Sequence, residues 1–179
     1  MWGTCAGLII LAEQANATKK GGQELIGGLD VRVQRNHFGR QIESFIADVE
    51  LPFLADLGGE AVPNPQAPFP GVFIRAPIVE ELLAHDKPAR LADGEQPKTP
   101  VEVLAVLPGR RDRAKGGPTD GNVAQSDGNV NDIVAVRQGN VFGTSFHPEL
   151  TDDVRVHAWW LGQVLNQVAL NESLAIRGR

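Results

Sequence analysis

Residues 3–7 of the chain, Gly3-Thr4-Cys5-Ala6-Gly7, are the stretch on which the interpretation of the whole sequence depends. They have the form G-x-C-x-G, a thiol version of the G-x-S-x-G turn that places a nucleophile between a strand and a helix. In such a turn the nucleophile adopts a strained backbone conformation, and the flanking glycines avoid clashes of Cβ atoms. The N–H groups that begin the helix favour a thiolate over a thiol. The alternative interpretation is a small buried cysteine between two turn glycines.

The composition is that of a soluble globular protein with one domain. The chain has 179 residues, of which 42% are hydrophobic and 22% charged. A net charge of −5 with scattered Lys and Arg disfavours nucleic acid and anionic membranes as partners. The single cysteine cannot form an internal disulfide, so we expect a reducing, cytoplasmic location. The apolar run at residues 8–12 is too short to span a membrane, and no metal or cofactor is expected.

The pattern along the chain predicts an α/β fold. Residues 6–17 are good helix formers and predict a helix that ends before Lys19-Lys20-Gly21-Gly22. Apolar residues that alternate or run together predict strands over residues 29–36, 41–51, 71–77 and 101–107, and a hairpin over 133–146 that turns at Gln138-Gly139-Asn140. Residues 71–77 are almost wholly apolar, which is typical of a buried strand in a mixed or parallel sheet.

Two loops and a last helix complete the predicted domain. Residues 55–70 contain four prolines and predict a loop, and the polar, glycine-rich residues 108–131 predict a flexible insertion. Thr151, Asp152 and Asp153 are typical of the start of a helix. The predicted apolar face of that helix consists of Val154, Ala158, Leu161, Leu165 and Val168. From residue 171 the chain shows no strong pattern.

A thiol nucleophile needs a base, and the base needs a group that orients it. Of the four histidines, only His147 follows a strong strand, where the active-site residues of α/β sheets collect. Glu149 follows two residues later, and Pro148 restricts the backbone so that the carboxylate can turn back toward the imidazole. Considered singly, they would be a strand-end histidine and an acid before a helix. Together with Cys5, they predict a Cys-His-Glu triad.

Several blocks of the sequence resemble the class I glutamine amidotransferases. The blocks are GTCAGLIILA from residue 3, RNHFGRQIESF from residue 35, GVFIRAP from residue 71 and AVRQGNVFGTSFHPELTDDVRVH from residue 135. Within that group they are similar to the glutaminase subunit of pyridoxal 5′-phosphate synthase, and GGQELIGGLDV is similar to its plant or fungal branch. The resemblance implies a flavodoxin-like fold, with a mixed sheet and flanking helices.

The resemblance also implies an activity, the hydrolysis of L-glutamine to glutamate and ammonia. Cys5 would attack the carboxamide and form a γ-glutamyl thioester. His147 would shuttle the proton to the departing ammonia and then activate water, and Glu149 would orient His147.

The same resemblance implies residues that bind glutamine, and a partner. Arg35, Ile74 and Arg75 match glutamine-binding positions, and the Arg75 guanidinium can meet the α-carboxylate in a fork. Without the resemblance, both arginines would be assigned to salt bridges. The ammonia would pass to a (β/α)8-barrel synthase subunit that builds pyridoxal phosphate in vitamin B6 biosynthesis.

The sequence departs from the family's pattern at its start. The family has further strands and a Gly-Gly-Glu-Ser loop upstream of the cysteine turn, and the loop supplies part of the oxyanion hole. We therefore expect a truncated chain of residues 1–179 that lacks the N-terminal strands and is poorly active, since loss of one oxyanion donor costs roughly a hundredfold or more in rate. Two alternatives are a glutaminase subunit of another synthase, disfavoured by the RNHFGRQ and FIRAP blocks, and a non-catalytic, amidotransferase-like regulatory subunit.

Overall fold

The computed structural model describes residues 1–16, 24–35, 44–55, 57, 64–83, 99–108 and 132–177. The strands are β1 (Trp2–Thr4), β2 (Ala12–Ala15), β3 (Leu29–Gln34), β4 (Ser44–Val49), β5 (Phe69–Ile74), β6 (Ile78–Leu82), β7 (Glu102–Leu107), β8 (Asp132–Gln138) and β9 (Val141–Thr144). The α-helices are α1 (Ala6–Leu11) and α2 (Arg155–Arg177), and short 3-10 helices span Pro52–Leu54 and Pro148–Leu150. The predicted insertion at 108–131 lies outside the described residues except for its first residue.

In the described part of the chain, the strands form a seven-stranded mixed sheet and a separate two-stranded sheet. The main sheet has the order β1-β9-β8-β6-β3-β2, with β7 also paired to β8. β1 runs parallel to β9, and β8 and β9 form the predicted hairpin, whose turn contains Gly139 at a φ of 57°. This sheet, with α1 and α2 packed against it, confirms the predicted α/β fold. No helix in the described ranges is long and apolar enough to cross a membrane.

The helix predicted over residues 6–17 is shorter than expected. α1 ends at Leu11, and residues 12–15 form β2, which pairs with β3. The backbone N–H groups of Ile26 and Gly27 donate to the carbonyl oxygen of Ile10, at 2.8 and 3.2 Å. The Ile10 oxygen thus accepts from residues 26 and 27 and not from a further turn of the helix. Pairing of residues 12–15 with β3 overrides the helix propensity of AEQA.

The strand predicted over residues 71–77 is observed at residues 69–74, with alternate residues buried, but not in the predicted kind of sheet. Among the described residues, β5 pairs only with β4, antiparallel and in register from Ser44 opposite Ile74 to Val49 opposite Phe69. Phe69 and Phe73 are buried, with ring centroids 5.6 and 5.8 Å from that of Phe146. The expected mixed or parallel environment was therefore wrong, and β6, which begins directly after Pro77, was missed.

The apolar face predicted for the last helix is also wrong. Val154, Leu161, Leu165 and Val168 are exposed, and α2 packs instead through Val156 and Trp159. The Trp159 ring lies 4.6 Å from Phe53 and 5.0 Å from Phe142, centroid to centroid. The rings of Phe53, in the first 3-10 helix, and of Phe142, in β9, select the face, because they pack edge to face against the large ring of Trp159. The helix also continues past residue 171, to Arg177.

The start of α2 is fixed by Arg155. Its backbone N–H and its guanidinium donate to the carboxylate of Asp153, as the predicted acidic helix start requires. The buried guanidinium also donates to the carbonyl oxygens of Pro65, Ala67 and Pro68, in the loop before β5. One side chain thus ties the loop that leads into β5 to the residues that follow Glu149.

Candidate active site

Cys5 lies between β1 and α1 in the strained conformation that the motif predicts. Its φ of 48° and ψ of −100° are rare for a residue with a side chain. The Cys5 N–H donates to the carbonyl oxygen of Thr144 at 2.7 Å, and β1 pairs with β9 in register up to Thr4 opposite Thr144. The parallel strand β9 therefore holds the turn in place.

The two glycines of the motif have different structural roles. A Cβ atom at Gly3 would lie 2.5 Å from the carbonyl carbon of Gly7 and 2.8 Å from Cδ1 of Leu11. Gly3 is thus required by the close approach of α1 to β1. A Cβ atom at Gly7 would meet nothing within 4 Å. The prediction that flanking glycines avoid Cβ clashes is confirmed at Gly3 and wrong at Gly7.

His147 and Glu149 lie together just beyond the end of β9. His147 Nδ1 is 2.8 Å from Oε1 of Glu149, because the 3-10 helix at Pro148–Leu150 turns the carboxylate back. The His147 N–H donates to the carbonyl oxygen of Val72 in β5, at 2.9 Å. Burial is the largest single influence and would raise the pKa of Glu149. The hydrogen bond and charge of His147, the backbone N–H of Glu149 and the hydroxyl of Thr4 together outweigh burial, and the pKa is lowered. The carboxylate is therefore ionised and able to orient the imidazole.

The half-buried thiol of Cys5 faces β5. Sγ lies 3.7 Å from the carbonyl oxygen of Ile74 and can donate to it. Burial has the largest influence on the pKa of the thiol and raises it, and the charge of Glu149 raises it further. The N–H of Ala6 and the charge of Arg75 lower the pKa, but the net result is an increase. The expectation that the helix start favours a thiolate is thus outweighed by burial. The thiol needs a base to become a nucleophile.

Alkylation of Cys5 tests this balance of charges. Only the thiolate reacts with iodoacetamide, and the raised pKa lowers the fraction of Cys5 that is present as thiolate. We therefore expect Cys5 to react more slowly at pH 8 than an exposed cysteine. Glu149→Gln removes a charge that raises the pKa and should speed alkylation a few-fold, whereas Arg75→Met should slow it by a similar factor. Mass spectrometry of the time course gives the rates. Shifts of both variants in the same direction would contradict the assignment.

Ile74 and Arg75, the two residues of β5 and its end that the resemblance assigns to glutamine binding, lie beside the nucleophile. Ile74 contributes the carbonyl group 3.7 Å from Sγ, and Arg75 is exposed, with a charge that acts on the thiol. Arg75 has a φ of 45°, a second strained residue next to the strained Cys5. Strain at both facing residues is typical of a functional site.

Arg35 follows the last residue of β3, towards the same end of the sheet as Cys5. β3 begins near the β8–β9 turn, where the Asp30 N–H donates to Oε1 of Gln138 at 2.7 Å, and so it runs away from that turn. The Arg35 N–H donates to Oδ1 of Asn16 at 2.7 Å. The buried Nε of Arg35 has no hydrogen-bond acceptor among the described residues, and no described contact joins Arg35 to Cys5.

Sequence reasoning missed Thr4. Its Oγ1 lies 3.4 Å from Oε1 of Glu149, although the two residues are far apart in the chain. The only sequence signal was a hydroxyl next to the nucleophile.

Within the described ranges, no group of three or more His, Cys, Asp or Glu side chains is placed to hold a metal ion.

Comparisons with known proteins place the chain in a family. The model of the SNO glutamine amidotransferase family matches residues 1–107 and 115–166. A probable pyridoxal 5′-phosphate synthase subunit from Arabidopsis thaliana is 42% identical over 163 residues, which are 90% of this chain and 56% of the relative. The pyridoxal 5′-phosphate synthase subunit PdxT from Methanosarcina mazei is 39% identical over 165 residues, 92% of this chain and 59% of the relative.

A solved structure agrees with these relatives. The crystal structure of a glutamine amidotransferase superposes with a TM-score of 0.55 at 35% identity, and the match covers 90% of this chain and 58% of that one. The chain thus spans less than two thirds of the length of these relatives. The resemblance predicted from the sequence blocks is confirmed: the chain belongs to the SNO glutamine amidotransferase family.

Proposed function

We propose that this protein is a glutaminase, which hydrolyses L-glutamine to glutamate and ammonia. The observation that carries the proposal is the strained Cys5 turn, joined through Thr144 to the strand that ends at the hydrogen-bonded pair of His147 and Glu149. Thr4, the residue before Cys5, lies 3.4 Å from Oε1 of Glu149, which supports a site shared by the three side chains. A thiol, an imidazole and an ionised carboxylate in this order suit attack on a carboxamide.

In the first half of the proposed reaction, His147 takes the proton of Cys5 as Sγ attacks the carboxamide carbon. The imidazolium then gives that proton to the departing nitrogen, the C–N bond breaks, and ammonia leaves behind a γ-glutamyl thioester. In the second half, His147 takes a proton from water, whose oxygen attacks the thioester. The C–S bond breaks, glutamate leaves, and the proton returns to Sγ.

Glutamine would lie between β5 and the end of β3. The guanidinium of Arg75 is exposed beside the thiol and can bind the α-carboxylate with two parallel hydrogen bonds. The carbonyl oxygen of Ile74 faces Sγ and can accept an N–H of the substrate. Arg35 is a further candidate for the carboxylate, supported by its buried Nε without an acceptor among the described residues.

The partner proposed for this protein is a (β/α)8-barrel synthase subunit that uses the ammonia to build pyridoxal 5′-phosphate. The support is that its relatives from Arabidopsis thaliana and Methanosarcina mazei are named as subunits of pyridoxal 5′-phosphate synthase. Vitamin B6 biosynthesis in the cytoplasm is the corresponding setting, and the single cysteine, free in the structure, suits that compartment.

The proposal is tested with the 179-residue chain and the synthase subunit together. We expect slow ammonia release from L-glutamine, and labelling of Cys5 by an electrophilic glutamine analogue, both lost in Cys5→Ala. Ammonia release that survives Cys5→Ala would contradict the proposed nucleophile. Tight binding of the synthase subunit without any labelling would favour the regulatory alternative.

A further inference from the structure

Thr4 connects the strand of the nucleophile to the residue that orients the base. Its Oγ1 lies 3.4 Å from Oε1 of Glu149, and the same carboxylate oxygen pairs with Nδ1 of His147 at 2.8 Å. The threonine hydroxyl donates, and the carboxylate oxygen accepts from both neighbours. A shift of the cysteine turn would therefore move the orienting group together with the nucleophile.

The carboxylate of Glu149 needs such a restraint. Its side chain is 45% exposed, compared with 20% for His147, so water competes for its oxygens. The described side chains that donate to it are those of His147 and Thr4. With the hydroxyl removed, the carboxylate would lose one of these two side-chain donors and rotate towards solvent more often, so the imidazole would have a less well fixed acceptor.

Thr4 itself is well fixed. It lies opposite Thr144 in the parallel pair of β1 and β9, and the next residue, Cys5, donates its N–H to Thr144 at 2.7 Å. Its β-branched side chain has few available rotamers. A hydroxyl on a rigid strand is thus better suited to restrain Glu149 than one on a loop.

We propose that Thr4 is a positioning residue, whose hydroxyl holds Glu149 in the orientation that accepts the Nδ1–H of His147. Nε2 of His147 is then the nitrogen left to exchange protons with Cys5. The role rests on the proposed function. At 3.4 Å the hydrogen bond is long for two oxygen atoms, so its loss should cost several-fold in rate and not abolish turnover.

The test compares Thr4→Val, which keeps the shape but not the hydroxyl, with Thr4→Ser, which keeps the hydroxyl. In the 179-residue chain with the synthase subunit, we expect Thr4→Val to lower kcat for glutamine about three- to tenfold with little change in KM. The acid limb of its pH profile should move to higher pH, because the hydroxyl helps to keep the carboxylate ionised. Thr4→Ser should restore both properties.

A second measurement does not depend on activity. Nitrogen-15 NMR of the imidazole should show a larger fraction of the tautomer protonated at Nε2 in Thr4→Val than in the parent chain or in Thr4→Ser. An unchanged pH profile and tautomer ratio in Thr4→Val would overturn the proposal, as would failure of Thr4→Ser to restore them. If the parent chain neither releases ammonia nor labels at Cys5, the proposed function fails, and the tautomer ratio still decides the role of Thr4.

Discussion

His147→Ala should lower the rate of ammonia release from glutamine by roughly a thousandfold, within the range of general acid–base catalysis. The reason lies in the thiol, because burial raises the pKa of Cys5 and so leaves little thiolate at neutral pH. The base must therefore remove a proton in the first half of the reaction and supply it to the departing nitrogen. The rate of ammonia release by the chain with the synthase subunit, relative to the parent protein, measures the loss.

His157→Gln is the matched control. His157 lies on α2 with its ring 5.1 Å from that of Trp2, and no described contact joins it to Cys5 or Glu149. This variant should retain most of the rate, while Glu149→Gln, which keeps an acceptor but loses the charge, should fall between the two. A His147→Ala protein that folds and keeps more than about a tenth of the parent rate would remove His147 from the proposed mechanism.

The parts of the site that the sequence predicted are those whose residues are close together in the sequence. Cys5 lies on its turn because two neighbouring elements meet there, and Glu149 reaches His147 because only Pro148 separates them. The contacts that join these two segments are long-range, such as the hydrogen bond from Cys5 to Thr144 and the approach of Thr4 to Glu149. No spacing pattern predicts them.

The predictions of the fold that were wrong also failed because of long-range contacts. The end of α1 is set by N–H groups of residues 26 and 27, which propensity within residues 6–17 does not reflect. The buried face of α2 is set by aromatic residues of β9 and of the first 3-10 helix, so the more regular aliphatic stripe remained exposed. The strand predicted over residues 71–77 does contain buried residues, but burial alone does not distinguish a two-stranded sheet from a larger one.

The ionisation of the nucleophile shows the limit of motif reasoning most directly. The motif predicts a thiolate, since the Ala6 N–H lowers the pKa of Cys5. The motif does not contain the β5 strand that buries the thiol, or the carboxylate of Glu149 that opposes ionisation. Burial and the charge of Glu149 together raise the pKa of Cys5, where the motif predicts a lowered one. The proposed mechanism therefore depends more strongly on a base.

Gly3→Ala should lower the free energy of unfolding and Gly7→Ala should not, although the two glycines are equivalent in the motif. The added Cβ at Gly3 would lie 2.5 Å and 2.7 Å from the carbonyl carbon and oxygen of Gly7. Those are backbone atoms of α1, which cannot move without separating the helix from β1. We expect a loss of about 3 kcal/mol in the free energy of unfolding, the upper part of the range for overpacking. For a chain of this size that corresponds to a Tm lower by roughly 6–12 °C.

Gly7→Ala places the same methyl group where it meets nothing within 4 Å, on a residue of the helix α1. Alanine loses less conformational entropy than glycine on entering a helix, so this variant should be as stable as the parent or more stable by about 0.5 kcal/mol. Thermal unfolding of both variants, followed by circular dichroism, checks the pair. An added Cβ meets backbone atoms at Gly3 and nothing within 4 Å at Gly7, so equal losses of Tm would mean that α1 does not pack on β1 as described. A loss confined to Gly3→Ala would instead establish that the close approach of the helix to the strand is what the first glycine of the motif provides.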